Sequence, residues 1–314
     1  FTANPEDYTN RGSIVTPLKD RIGSQILTHY PQSIEIARTI TEQEARKNNV
    51  QSDAVEVPPF AMDLLEQISF EARESELIDA KSGVSARMSI SAYENLLSTA
   101  ERRALKKGED HTMLRFGDFL GVIPAITGKV ELVYEGEQEG SAAVAQILLG
   151  SAIKTLFRDN FPEIKKLEKE TERNPYDDIV NWFFDQTEFK LLDDLTDVDY
   201  KNELDKIKPL DDLVKKYQPD VDEKYAYFLR EFVLWALVEF KKLSKYRLTE
   251  GMRFKDLYGS LAELQAIPEV GEITLFMDVD FNNAAFAQNI VKQSDIQEDS
   301  KKKKKKKKKK KGEP

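Results

Sequence analysis

Three residues near the start of the chain stand at junctions and carry side chains that can grip polar ligands. Asn4 lies in the turn Asn4-Pro5-Glu6-Asp7. Arg21 follows Asp20 just ahead of the segment SQILTHYP, and Arg87 lies in SGVSARMSIS, just ahead of a helical pattern. A guanidinium stays charged and donates bidentately, which suits it to oxyanions better than an ammonium. Each residue also has a plainer reading. An Asn before Pro is commonly a turn residue, an exposed Asp-Arg pair adds little stability, and an Arg near a helix start is commonly solvated. Their order and spacing along the chain are what make them a series.

Other chemistry is narrower. There is no Cys, which excludes disulfides, thiolate zinc sites and Cys nucleophiles. Two histidines, His29 and His111, leave little scope for a His-based metal site. No partner constellation surrounds His111 in GEDHTMLRF, so it reads as a loop or cap residue. The run from Asp278, DVDFNNAAFAQN, begins like a calcium loop but has Asn283 and Asn289 where that loop needs Gly and Glu, so it reads as a polar turn. A phosphate-cradling G-x-x-x-x-G-K-[ST] is absent. Gly121 to Gly128-Lys129 is the nearest approach, but its glycines enclose six residues and Val130 stands where the hydroxyl belongs.

The elements that would position these residues read mostly as helices. Asn4-Pro5 and Asn10-Arg11-Gly12 are turn chemistry. In SQILTHYP, Ile26, Thr28 and Tyr30 alternate with Gln25, Leu27 and His29, which predicts a strand closed by Pro31. From Ser33 the pattern turns helical, with Ile36, Ile40 and Glu44 at helical spacing. A pair of prolines, Pro58-Pro59, opens a helix repeating Phe60, Leu64, Ile68 and Ala72. Ser91 and Glu94 read as a capping box for the next helix. Its stripe is Tyr93, Leu97, Ala100 and Ala104, its last turn holds Lys106 and Lys107, and Gly108 is the expected C-cap. DFLGVIPAITGKVELVYEGEQEG reads as a Gly-rich, partly strand-like connector. A helix is predicted from about Ala142 to Phe161. Residues 162–223 read as short helices on a surface-rich subdomain, with Trp182-Phe183-Phe184 as core or interface. EKYAYFLREFVLWALVEFKKLSKYRL reads as one buried helix.

The chain of 314 residues is 40% hydrophobic and 33% charged, a globular composition. Formal charge is -9, but the last fourteen residues hold eleven Lys and one Glu, which leaves the first 300 at -19. So acidic a body argues against nucleic acid as a partner. The longest uncharged stretch, Gly140 to Ile153, is too short to cross a bilayer. With no signal peptide visible, a cytoplasmic location is expected. The poly-Lys run repels itself and reads as disordered.

An Asn in a turn, an Asp-Arg pair before a strand and an Arg before a helix together resemble the second half of an AAA+ ATPase module. More closely, TANPEDYTNRG, TPLKDRIGSQILTHYP and EQEA look like the magnesium chelatase subunit I and MoxR-like branch. The resemblance covers residues 1 to about 130 and is most specific over the first 45. It implies that Asn4 is the sensor 1 residue, which holds the attacking water and touches the γ-phosphate of ATP. Arg21 is implied to be the arginine finger, reaching into a neighbouring subunit of a ring, where such a residue can contribute about 10³–10⁵ in rate. Arg87 is implied to be sensor 2, contacting the phosphates in cis.

The fold class expected is an α/β AAA+ core remnant, its last strands only, followed by a mostly α-helical lid and C-terminal region. Residues 1–32 would end the nucleotide-binding core, 33–130 form the lid, 131–292 a mostly helical region and 293–314 a disordered tail. The resemblance puts the Walker A and B motifs upstream of Asn4. The chain is therefore expected to be a C-terminal fragment that alone hydrolyses ATP poorly or not at all. The intact protein is expected to be a homo-oligomeric ring, hexameric by analogy, using ATP and Mg²⁺ to remodel or load a partner with a von Willebrand A-type domain. Two alternatives remain beside this: a non-enzymatic helical interaction protein derived from a lid, with residues 163–223 as its docking surface, and an ATP-dependent metal chelatase subunit. A transcription activator would need a basic recognition helix, which is not seen.

Overall fold

The computed structural model describes residues 20–47, 49–80, 82–164, 174–185, 189–248 and 250–257. These residues form a mostly α-helical molecule with short strands. Asn4, the Asp278 run and the poly-Lys tail lie outside them.

Helix α1, Ile34–Glu44, starts where Ser33 accepts a hydrogen bond from the Ile36 N–H at 3.4 Å. Its buried face is Ala37 and Thr41, one position on from the face read in the sequence; Ile36 is 51% exposed. A short helix α2, Asn49–Ala54, leads into strand β1, Val55–Glu56. Helix α3, Pro59–Glu74, begins on its proline and buries Leu64, Ile68 and Ala72, as the four-residue repeat predicts. Phe60 of the same repeat is half-buried and meets Phe232 edge-on at 4.8 Å.

Helix α4, Arg87–Lys107, buries Tyr93, Leu97, Ala100 and Ala104 and ends at Gly108, whose φ of 69° is the left-handed C-cap geometry. Its start corrects the sequence reading. The helix begins at Arg87, so Ser91 and Glu94 are interior and form no capping box. Glu94 instead accepts the Arg46 N–H at 2.9 Å, a tertiary contact that outcompetes the local one.

Residues 24–30 form no strand. The segment has no ladder partner among the described residues, and Ile26 is 89% exposed. The connector read as Gly-rich and strand-like is instead mainly helical: a 3-10 helix, Phe116–Val122, then α5, Ile123–Thr127, and α6, Tyr134–Glu139. Phe116, Phe119, Val122 and Ile126 are buried there, and packing against α4 overrides their β preference. Strand β2, Thr112–Met113, pairs in parallel with β1, Val55 opposite Thr112.

Helix α7, Ser141–Asn160, matches the expected helix and packs on α3. Then come α8, Asp177–Asp185, strand β3, Phe189–Leu192, α9, Asp197–Asp205, and α10, Lys208–Tyr217. Short helices were expected here. Tyr176, Ile179, Phe183, Leu204 and Leu210 are nonetheless buried in the same core as α3 and α4. In the Trp182-Phe183-Phe184 burst only Phe183 is fully buried, and Phe184 is 67% exposed.

Helix α11, Glu223–Glu239, runs through the middle of that core with an unbroken buried stretch from Phe228 to Leu237. It stops earlier than its sequence suggests. Lys241 adopts φ 58°, which turns the chain into strand β4, Leu243–Leu248. Strand β5, Gly251–Asp256, lies between β3 and β4 in an antiparallel sheet, with Phe189 opposite Phe254 and Leu243 opposite Asp256. Trp235 stacks its edge on Phe254 and lies 4.7 Å from the Phe116 ring, joining sheet, α11 and 3-10 helix. Among the described residues no helix is long and apolar enough to cross a membrane.

Candidate functional site

Arg87 is the first residue of α4, and its guanidinium is exposed. No hydrogen bond or ion pair joins that guanidinium to another described side chain. A cation at a helix N-terminus is placed against the macrodipole, where an anion would be favoured. The Arg87 and Met88 N–H groups are taken by the hydroxyl and carbonyl of Ser85, at 3.2 and 2.9 Å, so what this helix start offers an anion is the Arg87 guanidinium.

Arg21 is also exposed. The segment that carries it is tied to the loop before α4 through Tyr30. The Tyr30 hydroxyl accepts the Val84 N–H at 3.1 Å, and the Arg73 guanidinium lies 4.5 Å from the centre of the Tyr30 ring. Gly83 makes this approach possible. Its φ is 67°, and a Cβ there would fall 2.3 Å from the Tyr30 hydroxyl. Tyr30 thus docks on Val84, three residues before Arg87.

A buried polar knot holds the first turn of α4. Glu66 on α3 is 1% exposed and accepts hydrogen bonds from Thr41 at 2.5 Å and Ser89 at 2.8 Å, with Ser69 2.6 Å from Ser89. Burial raises the Glu66 pKa, against the hydrogen bonds that lower it. The knot locks α1, α3 and the first turn of α4 in register, because leaving any of these groups unpaired costs about 1–3 kcal/mol.

A second buried cluster sits at the other end of α4, and sequence reasoning missed it. Glu231 on α11 is 2% exposed. Its carboxylate accepts the N–H groups of Phe116 and Gly117 at 3.0 and 3.1 Å, capping the 3-10 helix, and the Tyr200 hydroxyl at 2.7 Å. Burial pushes its pKa up to about 7, partly offset by the Tyr200 hydrogen bond. Burial, and then the neighbouring Glu231, hold the Tyr200 phenol well above its ordinary value. Arg115 lies over the Tyr200 ring at 4.4 Å and donates to Asp197 at 2.7 Å. Arg103 forks onto Asp118 at 2.9 and 3.2 Å and reaches Thr112 at 2.8 Å. The signal available in the sequence was Arg230-Glu231 inside an otherwise apolar helix, since two buried charges must find partners. Arg230 finds Asp205 at 2.6 Å and Asp211.

His111 is a loop residue whose Nδ1 lies 2.9 Å from the Asp53 carbonyl. Among the described residues no group of three His, Asp or Glu is placed to hold a metal. No protein-family model, curated protein or solved structure matches the chain.

Proposed function

We propose that the chain supplies the sensor and arginine-finger part of a ring-forming AAA+ ATPase of the magnesium chelatase subunit I and MoxR-like type. One observation carries this reading. Residues 24–30 pair with no strand among the described residues, yet the adjacent apolar residues Ile26 and Leu27 are 89% and 75% exposed. Two apolar residues so placed fit a segment that is covered by another surface, as a strand of an α/β nucleotide-binding core would be. Arg21 stands just ahead of it, where a subunit boundary would put an arginine finger.

ATP fits the residues present to this extent: Arg87, exposed at the start of α4, would hold the phosphates from the lid side. Mg²⁺ and the reacting phosphoryl group would be held by Walker A and B residues, which are not among the 314. Asn4 would orient water at the tip of the preceding strand. ATP supplies the phosphoryl group, and this chain's contribution is positioning and charge stabilisation. The ring would be cytoplasmic and would act on a partner protein, for which a von Willebrand A-type domain is the first candidate. A chelatase subunit is the narrower version of the same reading.

The test is ATP turnover in the full-length product of the native gene. Arg21→Ala should abolish turnover with nucleotide binding intact, and mixing it with wild-type subunits should depress the wild-type rate, because the finger acts across subunits. Arg87→Ala should weaken nucleotide binding. Unchanged turnover in both variants would leave the helical interaction protein as the better account.

A further inference from the structure

A recess of about 320 Å³ opens between the C-terminal half of α4, the 3-10 helix and the β3–β5 edge of the sheet. Its floor is the Glu231–Tyr200 cluster, and its walls include Leu120, Leu191, Leu192 and Met252. Gly121 lets the 3-10 helix close on α4 at one side, since a Cβ there would meet the Thr99 hydroxyl at 2.1 Å.

The charges around this recess do not cancel. Asp118 is taken by Arg103, Asp193 by Arg247 at 2.6 Å, and Asp194 by Lys107 at 2.9 Å. The Glu231 oxygens are occupied by Tyr200 and two backbone N–H groups. Two exposed cations stand on the α4 wall one helical turn apart on the same face, Arg102 and Lys106; neither forms a salt bridge among the described residues, though Lys106 shares the field of Asp194 with Lys107. They stand out on a body that is strongly acidic. Deeper in, Arg115 is 5% exposed and lines the same recess, yet its buried Nε–H has no acceptor. A buried donor of that kind is costly to leave unmade.

We propose that this recess is a binding site for a small amphiphilic anion, with an apolar body against Leu120, Leu192 and Met252 and a phosphate or carboxylate facing Arg102 and Lys106. The Arg115 Nε is too enclosed to be reached from the cleft, so the charge of the ligand is met by Arg102 and Lys106. The volume suits a ligand of a single ring or short acyl chain. The site is independent of the ATPase reading: α4 is 21 residues long, and Arg102 and Lys106 lie roughly 20–30 Å along it from Arg87.

The experiment is calorimetric titration of the 314-residue protein with phenyl phosphate, benzyl alcohol and inorganic phosphate at low salt. Phenyl phosphate should bind saturably. Benzyl alcohol and inorganic phosphate should each bind at least about tenfold more weakly, since each lacks one half of the recognition. Arg102→Gln with Lys106→Gln, both exposed and so harmless to the fold, should weaken phenyl phosphate by about tenfold. Leu192→Gln should weaken phenyl phosphate and leave inorganic phosphate unchanged. The proposal is overturned if the double variant binds phenyl phosphate as the wild type does. Inorganic phosphate binding as tightly as phenyl phosphate, or no saturable binding in the millimolar range, would overturn it equally.

Discussion

Replacing Glu231 with glutamine should flatten the pH dependence of stability. The folded protein holds this carboxyl at a pKa of about 7, against 4.5 for the free side chain. An acid whose pKa is raised on folding contributes its full stability below the unfolded value and loses it as pH rises through the folded one. Wild type should therefore weaken between about pH 4.5 and 7, as Glu231 is forced to ionise where water cannot reach it. One pKa unit is worth about 1.4 kcal/mol, so the gap of roughly 2.5 units amounts to about 3 kcal/mol. Glutamine cannot ionise. Its carbonyl accepts from only one of the Phe116 and Gly117 N–H groups, and its amide faces the other, which costs about 1–3 kcal/mol at every pH. Glu231→Gln should thus be the less stable protein at about pH 5, and the difference should shift in its favour by about 3 kcal/mol by about pH 8. Urea unfolding at several pH values, read by tryptophan fluorescence, measures this directly, because Trp235 lies 4.7 Å from the Phe116 ring above the cluster. A difference between the two proteins that stays constant across the range, or that shifts toward wild type as pH rises, would refute the argument.

Further outcomes follow from other contacts. Asp118→Asn removes the nearer anion from the buried Arg103, which keeps Asp197 at 3.7 Å and the Thr112 and Met113 oxygens, and should cost about 1–3 kcal/mol in urea unfolding, with Arg103→Met in the same chain recovering part of the loss; a loss below about 1 kcal/mol would mean the pair is solvated. Gly83→Ala should cost about 1–3 kcal/mol through its backbone angle. The same change should release Tyr30, seen as faster proteolysis within residues 20–32; unchanged cleavage would show that Tyr30 does not hold the segment. Lys241→Gly relieves a left-handed φ and should stabilise by about 1 kcal/mol. The melting temperature should then rise by a few degrees, and a fall would mean that the lysine side chain contributes more than its backbone costs.

The local signals in the sequence were legible where chemistry within a few residues decides the outcome. Ser33, Pro59 and Gly108 mark helix ends because a hydroxyl, a fixed φ and a missing Cβ act on their immediate neighbours. The errors share a cause of the opposite kind. Glu94 fails as a cap because Arg46, 48 residues away in the chain, offers it an N–H. Thr41 rather than Ile40 turns inward on α1 because Glu66 waits there. The end of α11 depends on a lysine in a conformation that no lysine advertises. The Glu231 cluster draws on four separate segments, so only the need for partners was readable, not their identity. The Tyr30 anchor is half legible: a Gly before a helix suggests a turn, but not that an aromatic ring must pass over it.

Helix α4 also has a mechanical consequence. It is gripped at both ends, by the Glu66–Ser89 bond near Arg87 and by the Arg103–Asp118 fork near Gly108. Between these clamps it is a stiff beam about 30 Å long. A beam clamped at both ends neither bends nor pivots under a small load. Arg87 and the Arg102–Lys106 pair therefore keep a fixed separation, and a change at one end reaches the other only if a clamp opens first.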